Sequence, residues 1–177
     1  HPETRSVYLE RLAVAYPERL DKMILMGSGG VGRTSLFTPL PMEGIKLLFG
    51  VYRDPSMENL KKMLDVFVYD SSALTEELIS LRHKSILANP QHLENFIKSV
   101  DLSKFQMGDF SANLPDIKHS TLITWGRDDR FVPIDWSLKL LNGLPNSRLH
   151  VFSQCGHWAQ WEHADAFNRL VIDFLKH

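Results

Sequence analysis

A chain of 177 residues, 44% hydrophobic and 23% charged, suits one soluble globular domain with a sizeable core. Its 20 basic and 21 acidic side chains leave a net charge of −1, which gives no electrostatic reason to expect nucleic acid or an anionic membrane as a partner. The single cysteine, Cys155, permits no intrachain disulfide and fits a reducing cytoplasm. No apolar run approaches the roughly 20 residues that span a bilayer, and no apolar segment follows the polar residues 1–5 as in a signal peptide. The chain opens His1-Pro2 without an initiator Met and enters a helical pattern almost at once, as an internal start in a longer protein would.

Taken in order, residues 6–16 read as a helix with Tyr8, Leu12, Ala15 and Tyr16 on one face, ended by Pro17. Met23-Ile24-Leu25-Met26, stopped by Gly27, predicts a short parallel strand buried on both faces. Residues 27–41 hold four glycines and two prolines and predict a loop. From 42 to 100 the pattern is helical throughout. Ile45, Leu48, Phe49 and Tyr52 form one stripe; Leu60, Met63, Leu64 and Phe67 another; Leu74, Leu78 and Leu81 a third; Leu93, Phe96, Ile97 and Val100 a fourth. Residues 101–119 read as an irregular linker. Alternation then resumes: a strand at 121–125, a helix at 134–141, a strand at 149–152, and a closing helix with Phe167, Leu170, Val171, Phe174 and Leu175 on one face. Strand–helix–strand–helix order predicts parallel strands with right-handed crossovers, so the fold class is α/β with a helical insertion.

In open α/β sheets reactive groups gather on the loops at the carboxyl ends of strands. One such loop is Trp125-Gly126-Arg127-Asp128-Asp129-Arg130-Phe131-Val132-Pro133; the next is Ser153-Gln154-Cys155-Gly156-His157-Trp158. An acid and a histidine on neighbouring loops can meet, with the carboxylate holding the Nδ1 proton so that Nε2 serves as general base. Alone, Asp129 reads sooner as a helix cap and His157 as an incidental loop histidine. The order Asp then His after successive strands is what favours the pair, since it is the order of α/β-hydrolases.

These two loops resemble the meta-cleavage-product hydrolases of the α/β-hydrolase superfamily, nearest to those of biphenyl degradation. The match extends through residues 155–165, Pro41-Met42-Glu43-Gly44-Ile45-Lys46-Leu47-Leu48 and Phe67-Val68-Tyr69-Asp70, and runs from about Tyr16 to the end. The resemblance implies the C-terminal part of an α/β-hydrolase fold with a helical cap. Residues 1–32 would be a core helix and strand following an absent nucleophile turn, 33–118 the cap and its linkers, and 119–177 the core strands and helices carrying the acid and the histidine. It implies Asp129 as the catalytic acid, His157 as the base, and Asp128 as a solvated turn residue. Trp158 would pack beside the base, and Arg82 would face the dienoate end of a small-molecule substrate, with Phe67 and Leu81 excluding water. For Phe67, plain cap core is an equal alternative; for Arg82, spacing alone suggests a surface pair with Glu76 or Glu77. The implied activity is cofactor-free hydrolysis of a carbon–carbon bond in a 2-hydroxy-6-oxohexa-2,4-dienoate-type ring-fission product, by a cytoplasmic homo-oligomer with neither nucleic acid nor membrane as partner.

The family's nucleophile lies in a Gly-x-Ser-x-Gly turn, which this sequence lacks; by count the serine falls near Glu3 or Thr4, with Ser6 the nearest other hydroxyl. The expectation is that this polypeptide alone is inactive. The alternatives are a non-catalytic remnant that binds ligand or another chain, and an ester or thioester hydrolase of the same fold. Gly27-Ser28-Gly29-Gly30-Val31-Gly32 fits a dinucleotide fingerprint, but Pro39 and Pro41 follow it instead of an opening helix, so a loop into the cap is expected. Cys155 is expected to be a small buried thiol. His157 and His163 lack the spacing of a zinc helix, so no metal is expected.

Overall fold

Three short stretches pair into one parallel sheet in this computed structural model, which describes residues 12–99 and 109–177. Strand β1 (Lys22–Met26) lies beside β2 (Ser120–Gly126), and β2 beside β3 (Ser147–Phe152), in the order β1-β2-β3. The register places Met23 against Thr121 and Leu25 against Ile123, then Ile123 against Leu149 and Trp125 against Val151. Central β2 is buried along nearly its whole length, as a strand covered on both faces should be. β1 differs from expectation. Met23 and Leu25 are buried but Ile24 and Met26 only half so; both line a cavity, and Met26 also packs against the small cluster of Phe152, Cys155, Ala159 and Phe167.

Between β1 and β2 the described residues form four α-helices: α1 (Glu43–Arg53), α2 (Met57–Phe67), α3 (Glu76–Leu87) and α4 (Pro90–Ser99). Ser56 and Thr75 begin α2 and α3 by accepting the Asn59 and Leu78 amides on their hydroxyls, which satisfies donors the helix leaves open. The stripes of α1 and α2 are buried as the spacing predicts. Leu93, Phe96 and Ile97 of α4 are half-buried against the same core, while Val100 lies outside the described residues. In α3 the inner face is shifted from the expected one. Ile79 is buried and Leu78 and Ile86 pack beside it, whereas Leu81 is 65% exposed. Ile79, Arg82 and Ile86 stand at i, i+3 and i+7 and share a face that Leu81 lies off, so Leu81 excludes no water from the site.

Beyond the cap helices, residues 109–119 are not wholly irregular. Asp109 accepts the Ser111 amide and hydroxyl, and a 3-10 turn follows over Ser111–Asp116. Helices α5 (Asp135–Gly143), α6 (Ala159–Glu162) and α7 (Ala164–Lys176) complete the chain, with α5 against β2 and β3. On α7, Phe167 and Phe174 are buried and Leu170 and Val171 packed, but Leu175 is 53% exposed at the last turn, off the Phe167–Phe174 face. Residues 12–15 are helical and meet the core through Ala13 instead of Ala15 and Tyr16, the small side chain allowing close approach; residues 6–11 of that predicted helix lie outside the described set. No helix among the described residues is long and apolar enough to cross a membrane.

Two glycines make opposite forecasts. A Cβ on Gly126, at the end of β2, would overlap the backbone carbonyls of Cys155 and Gly156. Gly126→Ala is expected to lose about 2 kcal/mol or more in a urea titration, as overpacking does. Gly50, inside α1 with nothing within 4 Å of a new Cβ, should gain about 0.5–1 kcal/mol as Ala. An unchanged urea midpoint for Gly126→Ala would contradict the packing described.

Candidate active site

The turn after β2 and the turn after β3 face each other at the carboxyl edge of the sheet. Arg127 N–H donates to the Phe152 carbonyl (2.8 Å) and Asp128 N–H to the Cys155 carbonyl (2.9 Å), which sews the two loops together. Across that seam, Asp129 Oδ2 lies 2.8 Å from His157 Nδ1, and the two side chains are only 1% and 2% exposed. The other oxygen, Oδ1, accepts the amides of Phe131 (2.7 Å) and Val132 (3.1 Å). Asp129 therefore caps its own turn with one oxygen and holds the imidazole with the other. The helix that follows, α5, has no side-chain cap at all. A carboxylate facing three donors accepts from each, so the shared proton belongs to Nδ1 and Nε2 is the basic ring nitrogen.

Asp128, expected as a solvated turn residue, does more. It is half-buried, pairs with Arg127 at 3.3 Å and accepts the Cys155 amide at 3.3 Å, which adds a strut between the loops. His157 N–H donates to the Phe67 carbonyl (2.8 Å), so the histidine backbone hangs from the end of α2. Gly27, the first residue after β1, has φ +53°, and a Cβ there would stand 2.9 Å from His157 Cε1. Its clearance for the imidazole was not legible in the sequence, where it read as the first glycine of a loop. Glu162, which also escaped sequence reasoning, lies beneath the histidine loop and accepts its backbone amides.

A cavity of about 800 Å³ lies between β1 and the cap helices, with Phe67, Arg82, Trp158, Ser28, Leu48 and Met63 in its wall; Phe67, whose ring meets His157, and Trp158, the next residue in the chain, connect it to the pair. Phe67 is almost fully buried, and its ring stands edge-on to His157 (4.9 Å), Trp158 (4.6 Å) and Phe131 (4.5 Å). It is thus both cap core and cavity wall, and the two alternatives left open by the sequence are one arrangement. Arg82 extends its guanidinium over the Trp158 ring, 4.5 Å from the centroid. Among the described residues it forms no ion pair with Glu76 or Glu77; Glu76 pairs instead with Lys61 at 2.8 Å. The Ser28 hydroxyl, fully buried in the cavity wall, has no partner among the described residues. The positions expected near a nucleophile, Glu3, Thr4 and Ser6, lie outside the described residues. Gly27–Gly32 forms the expected loop.

The profile of the family described as alpha/beta hydrolase fold matches residues 9–164. The 2-hydroxy-6-oxo-6-phenylhexa-2,4-dienoate hydrolase of Burkholderia cepacia is 59% identical over 163 residues, 92% of this chain and 57% of that protein. The 2-hydroxy-6-oxononadienedioate/2-hydroxy-6-oxononatrienedioate hydrolase of Paraburkholderia phymatum is 58% identical over 163 residues, covering 56% of its length. Among solved structures, the 2-hydroxy-6-oxo-6-phenylhexa-2,4-dienoate hydrolase of a Rhodococcus strain superposes with a TM-score of 0.81 at 30% identity, over 97% of this chain and 60% of that one. The chain thus spans a little over half the length of the curated relatives it matches.

Cys155 is fully buried, two residues before the histidine. Burial, reinforced by the neighbouring Glu162 carboxylate, pushes its thiol well above the usual cysteine range. The thiolate is the reactive form. Disulfide-exchange reagents at pH 8 are therefore expected to leave native Cys155 unmodified and to label it at once in denaturant. Rapid labelling of the native chain would overturn this account of the loop.

Proposed function

We propose that this chain, which belongs to the family described as the alpha/beta hydrolase fold, supplies the acid, the base and the cap of an enzyme that hydrolyses a carbon–carbon bond in 2-hydroxy-6-oxohexa-2,4-dienoate-type ring-fission products. The observation that carries the reading is the buried Asp129–His157 hydrogen bond of 2.8 Å, which Phe67 and Trp158 join to a cavity that Arg82 also walls. The names of its relatives, hydrolases of a phenylhexadienoate and of a nonadienedioate, support the substrate class.

In this reading His157 Nε2 takes the proton of the attacking hydroxyl, and Asp129 stabilises the imidazolium that results. Arg82 donates two parallel hydrogen bonds to the carboxylate and 2-oxygen of the dienoate, a task that suits a planar guanidinium. The apolar cap wall at Leu48, Met63 and Phe67 receives the 6-substituent. After enol-to-keto tautomerisation, water is added across the bond beside the 6-oxo group. Its hydroxyl goes to C6, giving a carboxylic acid; the electron pair of the broken bond passes from C5 through the conjugated chain to the 2-oxo oxygen, which takes the proton, giving a 2-hydroxypentadienoate. No cofactor is needed. The same reading divides the chain into core (1–32), cap (33–118) and core (119–177), and takes the enzyme to be a cytoplasmic homo-oligomer. The 177 residues hold no Gly-x-Ser-x-Gly, so the nucleophile turn and its oxyanion donors are assigned to none of them.

Two experiments test this. The 177-residue chain alone should give no loss of the dienoate's visible absorbance; turnover abolished by altering Thr4 or Ser6 would show that the nucleophile is here after all. Substituted for the matching segment of the Burkholderia cepacia relative, the chain should support dienoate cleavage. In that chimera Asp129→Asn should lower kcat by roughly 10⁴-fold, as a wrong histidine tautomer does. Arg82→Lys should cost more than the ~1 kcal/mol of an exposed ion pair although the charge is kept. A chimera that cleaves esters but no dienoate, or an Arg82→Lys variant with full activity, would refute the substrate assignment.

A further inference from the structure

The histidine loop is held from below by one carboxylate. Glu162, the last residue of the single-turn helix α6, places Oε1 2.9 Å from the Gly156 amide and 3.2 Å from the Trp158 amide. Its Oε2 lies 3.1 Å from the Gly156 amide and 2.6 Å from the amide of Tyr69, two residues past the end of α2. The residues on either side of His157 thus donate to the same side chain, while His157 N–H donates to the Phe67 carbonyl. Along the cap segment, Phe67 accepts from the loop and Tyr69 donates to the carboxylate under it. Gly156 permits this closeness: a Cβ there would stand 2.8 Å from the Phe67 carbonyl oxygen and from the Val68 backbone.

A plainer role for Glu162 is to cap α6 by reaching back to the Trp158 amide. The distances argue against capping as its main work. That contact is the longest of the four, and the shorter ones go to Gly156 and Tyr69, outside the helix. A residue needed only to begin one helical turn has no reason to grip a second segment 93 positions away.

We propose that Glu162 is a positioning residue for the Asp129–His157 pair, acting as a clamp that locks the histidine loop and the cap segment at Phe67–Tyr69 into one register. Its carboxylate holds the backbone on both sides of His157, so the imidazole stays against Asp129 and Phe67 stays against the imidazole. The cap and the base then move as one body. This rests on the reading of His157 as the base, but its test reads hydrogen bonds and not turnover, so the two fail separately.

The test is NMR on the 177-residue chain. In the wild type, couplings across hydrogen bonds should link the Tyr69, Gly156 and Trp158 amide nitrogens to Glu162 Cδ. The proton between His157 and Asp129 should resonate far downfield of the amides. In E162Q one oxygen becomes an NH₂ that must face a backbone N–H. At an unchanged far-UV circular dichroism spectrum, amide exchange at Tyr69 or at Trp158, whichever faces the NH₂, should then quicken by at least about tenfold, and the downfield proton should broaden or vanish. Missing couplings in the wild type would overturn the clamp. So would an E162Q variant that keeps the downfield proton, or one that unfolds globally, since Glu162 would then support the fold as a whole and not the pair.

Discussion

The structure turns on a hydrogen bond between two side chains that water barely reaches, Asp129 and His157. A typical hydrogen bond contributes about 1 kcal/mol net, but a buried group left without its partner costs about 1–3 kcal/mol. Polar atoms at this depth therefore tolerate little slack, and the surroundings are built to leave none. One carboxylate oxygen is taken by the turn that carries it, and the other by the imidazole. Gly27 and Gly126 have no side chain where one would strike the imidazole or the histidine loop. The sheet register sets the two turns side by side, because β2 and β3 are adjacent and parallel and end together at Gly126 and Phe152.

The cap meets the core at this same place. Phe67 closes α2, walls the cavity, stands against His157 through its ring and holds the His157 amide through its carbonyl. Arg82 rests on Trp158, the residue after His157, in a contact worth about 0.5–1 kcal/mol at exposed sites. That is weak enough for a bidentate, charge-assisted carboxylate contact to replace it. An arginine parked on an aromatic face beside a cavity is already ordered but not committed to an acidic partner.

Much of this was legible in the sequence because it follows from periodicity and order. An unbroken apolar run marked β1, resumed strand–helix alternation marked β2, and i, i+3, i+4 spacing marked α1 and α2. The acid and the histidine stood out because each follows a strand. What was missed depends on neighbours that spacing does not reveal. Leu81 fits an apolar stripe, but the inner face of α3 is set by Ile79 and Arg82 against the cavity. Ile24 and Met26 read as buried on both faces and are only half-buried, at the wall of that cavity. Glu162 and Asp128 look like surface acids in a charged stretch. Their partners are backbone amides, which carry no mark in the sequence, and in one case lie 93 residues away. Gly27 looked like a loop glycine because its constraint is a ring from the other end of the chain.

The central claim is that Asp129 fixes which nitrogen of His157 carries the proton. Nitrogen-15 NMR of the histidine ring measures this directly, with the neutral imidazole observed at high pH. The account predicts a protonated, pyrrole-type Nδ1 and a pyridine-type Nε2 in the wild-type chain, the two exchanging or averaging in Asp129→Asn. A wild-type His157 in the Nε2–H tautomer, or one indifferent to Asp129→Asn, would contradict it.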